Sequence, residues 1–305
     1  MKILILGYSN IFQRKIYFAL KKFKNLEIEV ASERKNKINL NINKHYTSYK
    51  KALDETEAKL VYISLINSQH FYWANKALNN NKHVIVDKPL TINFDQTKKL
   101  VNLASKKKLL LSESVVFHLH KQFRDVLSKI NINKPTRIFS NFHIPKLEKK
   151  NFRNFKKFGG GCFQDMSPYA CYLIDIFFKN KKYLFKNKKK FNNNKTVDSF
   201  DLSVNSKNIF LNSSFSFNSS YKNEIIINNR SKNYFINFAF SPPIDKSVKV
   251  EIFDLTKKKR YKINFIKQNI FYTYFDNIFK ILKKNKYNFF YKEILKIAKI
   301  KKKIF

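Results

Sequence analysis

The sequence predicts an α/β fold in which a doubly wound parallel sheet is followed by an α+β domain with a large, mostly antiparallel sheet. Up to about residue 112, short apolar runs alternate with amphipathic segments, whereas strand-like Phe- and Ile-rich segments dominate residues 183–266. Such alternation is typical of βαβ units, whose right-handed crossovers build parallel sheets. The change of pattern predicts two domains, residues 1–118 and 119–305.

The individual elements follow from the same periodicity. In the first domain helices are expected near 11–24, 69–80 and 94–106, and strands at 2–6, 28–31, 60–64, 83–86 and 109–111. The second domain is expected to contain a helix near 168–178, strands between 183 and 266 and two helices near 268–302. The Asn/Lys-rich stretch 187–195 is interpreted as a solvent loop.

The charge of the chain is extreme, with 62 basic and 21 acidic residues and a formal net charge of +41. Only seven of the basic residues are arginine, although base readout and phosphate clamping favour arginine. Lysine is instead spread along the whole chain. We interpret the charge as a solvated surface and predict no nucleic-acid partner.

Cysteine content and hydropathy indicate the cell compartment. The only cysteines, Cys162 and Cys171, are expected to be reduced thiols, and no His, Asp and Glu spacing predicts a metal site. Neither a secretory leader nor an apolar run of about 18 residues is visible. We therefore predict a soluble cytoplasmic protein with no membrane partner.

All four glycines lie at Gly7 and in the run 159–161. Gly7 follows the first strand and precedes a helix, the position at which a helix N-terminus binds phosphate. Ser9 and Phe12 replace the later glycines of the G-x-G-x-x-G fingerprint. The turn predicts a dinucleotide site formed by Gly7, Ser9, Asn10 and Ile11.

The end of the second strand reads Ser32-Glu33-Arg34. An acid at this position accepts from the adenosine ribose of NAD, whereas a cation accommodates the 2′-phosphate of NADP. Ser32 stands where an acid is expected and Arg34 could meet a phosphate, so NADP is preferred over NAD. The alternative is that Glu33 and Arg34 form an exposed charge pair.

Two further strand ends carry candidate residues. The fourth strand runs into Asp87-Lys88-Pro89, which places a lysine at the carboxyl edge where open α/β sheets bind ligands. Asp87 and Lys88 are predicted to bind the cofactor. The third strand is followed by a segment whose predicted cofactor-binding residues are Ser64, Leu65, Asn67 and His70.

The glycine run opens a motif that ends in Asp165 and Tyr169. Reduction of a ketone by hydride creates an alkoxide that needs a proton, and an ammonium lowers the pKa of a phenol that could supply it. We expect Tyr169 to be the general acid. Lys88 is expected to lower the pKa of the Tyr169 phenol and to bind the substrate oxygen. Asp165, one helical turn before Tyr169, would orient the sugar or Lys88.

These motifs resemble those of the Gfo/Idh/MocA oxidoreductases over nearly the full length. Residues 82–90 are similar to the family's Glu-Lys-Pro element, with Asp87 in place of Glu. Residues 159–169 are similar to its Gly-Gly-Gly-x-x-x-Asp-x-Gly-x-His element. Tyr169 in place of His resembles the branch of glucose-fructose oxidoreductase and nucleotide-hexose 3-ketoreductases. Segments 117–122, 221–225 and 239–243 also favour the ketoreductases.

The resemblance implies a Rossmann domain and a C-terminal domain whose large sheet mediates oligomerisation, as a homodimer or homotetramer. It implies an NAD(P)-dependent oxidoreductase that reduces a keto group, at C3, of a nucleotide-activated deoxyhexose. The alternatives are an NAD-dependent dehydrogenase of a free sugar or polyol, and a cofactor-binding protein without turnover. The second alternative is favoured by the replacement of the later glycines of the fingerprint.

Overall fold

The computed structural model describes residues 1–33 and 38–304, which form two compact units. The first unit comprises Met1–Val115 and Phe271–Lys302, and the second comprises Val116–Ile270 and the residues from Lys303 onward. The boundary predicted at residue 118 lies close to the junction after Val115. The C-terminal helices, which the sequence assigned to the second domain, belong to the first unit.

The first unit contains a six-stranded sheet in which every neighbouring pair is parallel. Its order is β3-β2-β1-β4-β5-β6, and the strands are β1 Lys2–Leu6, β2 Glu27–Ala31, β3 Lys44–Tyr46, β4 Leu60–Ile63, β5 His83–Asp87 and β6 Leu111–Ser114. The order reverses between β1 and β4, so ligands are expected at the carboxyl ends of these strands. The predicted doubly wound sheet is confirmed. Strand β3 was missed because its three residues carry no apolar run.

Helices connect the strands of this sheet. They are α1 Tyr17–Leu20, α2 Tyr49–Glu55, α3 Asn67–Asn79 and α4 Phe94–Lys106, and a π-helical turn at Phe12–Ile16 precedes α1. Side chains cap two of them: the Ser48 hydroxyl accepts from the Lys51 N–H (3.3 Å), and the Asn93 amide oxygen accepts from the Gln96 N–H (2.9 Å). Such caps satisfy backbone donors that the first helical turn leaves unpaired.

The second unit contains an eight-stranded sheet of order β14-β13-β12-β11-β7-β10-β9-β8. Only β7 and β10 pair in parallel, which confirms the predicted, mostly antiparallel sheet. Its elements are α5 Lys121–Ser128, β7 Thr136–His143, α6 Cys162–Phe177, β8 Leu184–Phe191, β9 Val197–Asn205, β10 Ile209–Ser216, β11 Lys222–Asn229, β12 Lys232–Asn237, β13 Val248–Asp254 and β14 Lys259–Phe265.

Two predictions for the second unit differ from the structure. The segment interpreted as a solvent loop begins inside the edge strand β8, which pairs with β9 although its side chains are mainly Lys and Asn. Lysines are common on edge strands because they discourage pairing with other chains. Helix α6 begins at Cys162, six residues before the predicted start at Pro168.

Helix α6 packs on one face of the second sheet. Phe163 of α6 lies 5.1 Å from Phe200 of β9 (ring centroids), and alternate residues of β9 are buried, namely Phe200, Leu202 and Val204. Side chains on a strand alternate between faces, so the residues between them face away from α6. The second sheet therefore has one face covered by α6 and one that α6 leaves open.

The two C-terminal helices, α7 Ile270–Lys284 and α8 Asn288–Ile304, pack on the first sheet through aromatic side chains. The Tyr274 hydroxyl lies 2.7 Å from the Ser112 hydroxyl, and the Tyr291 hydroxyl donates to the Leu109 carbonyl (2.5 Å). In α7 Phe271, Tyr274, Phe275 and Ile278 are all buried, which is the spacing of an amphipathic helix face. These contacts assign the helices to the first unit.

Within residues 1–33 and 38–304, no helix combines the length and the apolar character needed to cross a membrane.

Candidate active site

Gly7 begins the turn after β1 in a conformation that other residues rarely adopt. Its φ is +103°, and its N–H donates to the Ala31 carbonyl (2.9 Å). A Cβ at this position would lie 2.3 Å from the Ser64 carbonyl oxygen and 2.8 Å from Leu65 Cδ2. Gly7 is therefore needed both for its backbone angle and for the close approach of the loop after β4. The crowding comes from the protein's own backbone, in addition to any bound pyrophosphate.

A chain of hydroxyl groups connects the ends of β1, β4 and β5. The Ser9 hydroxyl accepts from the Phe12 N–H (3.2 Å) and lies 2.6 Å from the Ser64 hydroxyl. The hydroxyls of Ser64 and Tyr62 both donate to Asp87, one to each carboxylate oxygen. The predicted cofactor residues Ser9, Ser64 and Asp87 thus form one network.

The inner end of this network consists of Tyr62, which is fully buried, and Asp87, which is partly exposed. Burial raises the pKa of Asp87, and the hydrogen bonds from Ser64 and Tyr62 oppose that shift. Burial, followed by the Asp87 charge, raises the pKa of Tyr62 well above its ordinary value, so this phenol stays protonated and remains a donor. Both Asp87 oxygens are occupied by groups of the same unit. Asp87 thus contacts groups of its own unit, and its contact with cofactor stays a prediction.

His70, predicted to bind cofactor, is fully buried in α3. Its Nδ1 lies 2.7 Å from the Pro89 carbonyl oxygen and its Nε2 lies 3.0 Å from the Leu65 carbonyl oxygen. Burial lowers the pKa of His70, while the Pro89 carbonyl and the Asp87 charge raise it. Both ring nitrogens face backbone, so His70 joins the loop after β4 to the residues that follow Lys88.

Glu113 of β6 is a functional candidate that the sequence analysis missed. Its Oε1 accepts from the Leu90 N–H at 2.8 Å, and Leu90 lies two residues after Lys88. Burial raises the pKa of Glu113, and the Leu90 N–H and then the charges of Lys301 and Lys88 lower it. The only signal in the sequence was a carboxylate inside an otherwise uncharged strand, Leu111–Ser114.

The end of β2 places the residues predicted to select the cofactor. Ser32 is buried and its N–H donates to the Tyr46 carbonyl (2.9 Å). The Glu33 carboxylate accepts from the Tyr49 N–H (3.1 Å) at the start of α2. Its negative charge therefore lies at a helix N-terminus, where it is stabilised. Arg34 lies outside the described residues.

The remaining predicted cofactor residues lie in the same two loops. Asn10 is exposed and Ile11 partly exposed at the start of the helical turn after β1. Leu65 supplies the carbonyl that faces His70, and Asn67 is buried at the first position of α3. All four lie near the carboxyl ends of β1 and β4.

In the second unit, the glycine run lets the loop before α6 approach its own backbone. A Cβ on Gly160 would lie 2.5 Å from the Arg153 carbonyl oxygen, and Gly161 has φ +100° and donates its N–H to that oxygen (2.7 Å). Arg153 Nε in turn lies 3.2 Å from Asp165 Oδ1. The glycines thus bring an arginine to the buried carboxylate of Asp165 in the first turn of α6.

Tyr169 lies one turn after Asp165 on α6, within a group of aromatic rings. Its ring centroid is 5.8 Å from that of Phe117, 5.5 Å from Phe142 and 5.3 Å from Phe240. The residue is half-buried, so packing fixes the ring while part of the side chain reaches the surface of its unit. This is the environment expected of a positioned phenol.

Two histidines lie beside these rings. His118 stacks on Tyr172 at 5.2 Å, and the Nδ1 of His120 accepts from the Gln122 N–H (3.3 Å) at the start of α5. Burial lowers the pKa of each to about 4, and Arg124 adds to the effect at His118. Both are neutral near pH 7.

Among the described residues, no group of three or more His, Cys, Asp or Glu side chains is arranged to hold a metal ion.

The first unit matches a known family. Residues 1–115 match the model of the oxidoreductase family GFO_IDH_MocA, described as an NAD-binding Rossmann fold. The matched residues contain the doubly wound sheet and the Gly7 turn.

Curated relatives of this chain include sugar reductases. The dTDP-3,4-didehydro-2,6-dideoxy-α-D-glucose 3-reductase of Saccharopolyspora spinosa is 35% identical over 40% of this chain and 37% of its own length. The enzyme of that name from Actinomadura kijaniata is 31% identical over the same shares. The matches thus span less than two fifths of the length of these two relatives.

A solved structure extends the likeness to the whole fold. KijD10, a 3-ketoreductase from Actinomadura kijaniata in complex with NADP and TDP-benzene, superimposes with a TM-score of 0.91 at 20% identity. The superposition covers 100% of this chain and 96% of that chain. Both units therefore share their folds with this solved structure.

We predict that Gly7→Ala lowers the free energy of unfolding by about 2–4 kcal/mol, because the new Cβ must displace the Ser64 carbonyl and strain the backbone. Urea unfolding measures the change. Asn25→Ala is the control: Asn25 has φ 59° at an exposed position, so alanine meets the left-handed backbone strain without a buried neighbour, and a loss of about 1 kcal/mol is expected. Equal losses in the two variants would contradict the crowding at Gly7.

The buried histidines predict a pH dependence of stability. The unfolded chain binds protons at His118 and His120 near pH 6.5, whereas the folded chain does so only near pH 4. Their contribution is complete above about pH 6.5 and is lost as the pH falls toward about 4. His120→Asn, which keeps a capping side chain, should weaken this dependence in urea unfolding at pH 7.5 and 5. The exposed His45→Asn should leave it unchanged, and an unaltered profile for His120→Asn would refute the assignment.

Proposed function

We propose that this protein is an NADP-dependent oxidoreductase that reduces a keto group, at C3, of a nucleotide-linked deoxyhexose. The observation that carries the proposal is the placement of Lys88 directly after β5, at the carboxyl edge of the sheet, in a segment held by Tyr62, Ser64, His70 and Glu113. These contacts fix the backbone on both sides of Lys88, at the edge where open α/β sheets bind ligands. The sugar reductases among the relatives support the substrate class.

The residues of the first unit fit a dinucleotide. Ser9, Asn10 and Ile11 lead into a helical turn at the switch point of the sheet, where the positive end of the helix favours a pyrophosphate. Ser32 rather than an acid follows the end of β2, and this favours NADP over NAD. Bound NADPH would supply the hydride that reduces the carbonyl carbon.

In this proposal Tyr169 donates the proton that neutralises the developing alkoxide. The three phenylalanine rings around it restrict its ring to one orientation, which lowers the entropy lost in positioning the donor. Arg153 holds the Asp165 carboxylate in the first turn of the same helix, and we assign Asp165 to orienting the sugar hydroxyls. Lys88 donates a hydrogen bond to the substrate oxygen and stabilises its negative charge.

We also propose that the chain self-associates through the face of the second sheet that α6 leaves open. Phe139 of β7, Ile226 of β11 and Phe235 of β12 lie opposite one another in register and form an apolar row there. A second copy of the same face would cover this row as an isologous pair. A cytoplasmic location is part of the proposal, since Cys162 and Cys171 form no disulfide in the described part of the chain.

Cofactor binding is tested by titration with NADPH and NADH, followed by nicotinamide fluorescence at moderate salt so that bulk charge attraction is screened. We expect saturable binding with NADPH preferred. Lys88→Ala and Tyr169→Phe should each lower kcat about 10²–10⁴-fold, with a TDP-linked 3-keto-deoxyhexose as substrate, and leave NADPH affinity nearly unchanged.

The matched controls are Lys76→Ala, a lysine in α3, and Tyr172→Phe, one turn after Tyr169 on α6. Both should retain kcat. Loss of NADPH affinity in Tyr169→Phe would indicate a structural role for this tyrosine. Failure to bind either nucleotide would favour a protein without turnover.

Self-association predicts that the protein elutes as a dimer or tetramer in light-scattering measurements at moderate salt. Phe235→Lys should shift the mass toward the monomer, because it places a charge within the apolar row. The control is Phe191→Lys, an exposed phenylalanine at the end of the edge strand β8, which should leave the mass unchanged. A mass that responds equally to both variants would contradict the assignment of this face.

A further inference from the structure

The residues that flank Lys88 are held by side chains from both neighbouring strands of the sheet. Before the lysine, the Asp87 carboxylate accepts from Tyr62 and Ser64, which belong to or directly follow β4. After it, the Leu90 N–H donates to Glu113 of β6 on the opposite side (2.8 Å). Because β5 lies between β4 and β6, the segment that carries Lys88 is fixed from two directions.

A carboxylate such as that of Glu113 is unusual inside a parallel sheet. It stands opposite Val86 in the β5–β6 register, inside a parallel sheet whose strands are otherwise mainly apolar. Burial raises its pKa, so an ionised carboxylate costs free energy here unless its partners compensate. The Leu90 N–H supplies a charge-assisted hydrogen bond, and the ammonium groups of Lys301 and Lys88 add favourable charge.

The position of a backbone segment decides where a catalytic ammonium can reach. Lysine has a four-carbon stem, so a displaced backbone moves the accessible region of its Nζ by a similar amount. A misplacement of about 1 Å in a reacting group can cost about 10²-fold in rate. A residue that fixes the backbone two positions after Lys88 therefore has kinetic importance without touching substrate.

We propose that Glu113 is a positioning residue for Lys88: its carboxylate holds the Leu90 amide and so fixes the segment that presents the lysine. The proposal rests on the proposed function of Lys88. His70 contacts the same segment at the Pro89 carbonyl (2.7 Å). Glu113 fixes this segment from the side of β6, through the Leu90 N–H.

The kinetic test is a double-mutant cycle of Glu113→Ala and Lys88→Ala. Glu113→Ala should lower kcat about 10–100-fold in the wild-type background and much less in the Lys88→Ala background, because its effect passes through the lysine. Glu113→Gln, whose amide oxygen can still accept from Leu90, should recover most of the kcat that Glu113→Ala loses. Equal losses in both backgrounds would overturn the proposal.

The matched control is Glu29→Ala, which removes another buried carboxylate of the same sheet. Glu29 lies in β2 and accepts from the Thr56 hydroxyl (2.6 Å), away from the Lys88 segment. It should lower the unfolding midpoint without coupling to Lys88→Ala. Unfolding midpoints and NADPH affinity of all variants identify any that fail to fold.

A second measurement is independent of turnover. Trace acetylation with acetic anhydride, with the extent of modification at Lys88 measured by peptide mass spectrometry, reports the exposure and ionisation of this amine. Glu113→Ala should change the rate of Lys88 acetylation at a fixed pH severalfold. Glu113→Gln, which can keep the hydrogen bond to Leu90, should restore this rate at least in part, and Glu29→Ala should leave it unchanged. An unchanged rate in Glu113→Ala would overturn the proposal. Full activity of Lys88→Ala would instead refute the proposed function, and the acetylation result would still decide the role of Glu113.

Discussion

The close approach of Gly7 to the Ser64 carbonyl is the constraint on which the rest of the first unit's ligand edge depends. With a Cβ only 2.3 Å from that oxygen, any other residue would force β1 and the loop after β4 apart. The same approach brings the Ser9 hydroxyl to the Ser64 hydroxyl at 2.6 Å, and Ser64 also donates to Asp87. One missing side chain therefore permits a continuous polar connection from the first turn to the segment that carries Lys88.

That connection also explains why several motif residues face inward. Asp87 and His70 are polar residues at the ligand edge, yet both contact groups of their own unit. A buried polar group must be hydrogen-bonded, and once paired it fixes the geometry of its neighbours. We therefore propose that Asp87, His70 and Glu113 support the residues that would touch ligand.

The second unit uses glycine for the same physical purpose at a different place. Gly160 and Gly161 let the loop before α6 lie against the Arg153 carbonyl, and Arg153 reaches Asp165. Tyr169 follows one turn later, enclosed by aromatic rings that hold its orientation. In both units, a backbone approach possible only for glycine positions the polar side chains that we assign to chemistry.

The sequence alone determined the fold class, most elements of the parallel sheet and the residues that follow its strands. Periodicity and glycine placement are local, and the carboxyl ends of parallel strands necessarily share one edge, so Gly7, Ser64 and Lys88 were predictable. Partners distant in the chain were decided only by the tertiary structure, because pairing depends on strand order and register. The contact of Glu113 with Leu90, the Arg153–Asp165 pair and the return of α7 and α8 to the first sheet have no local signal.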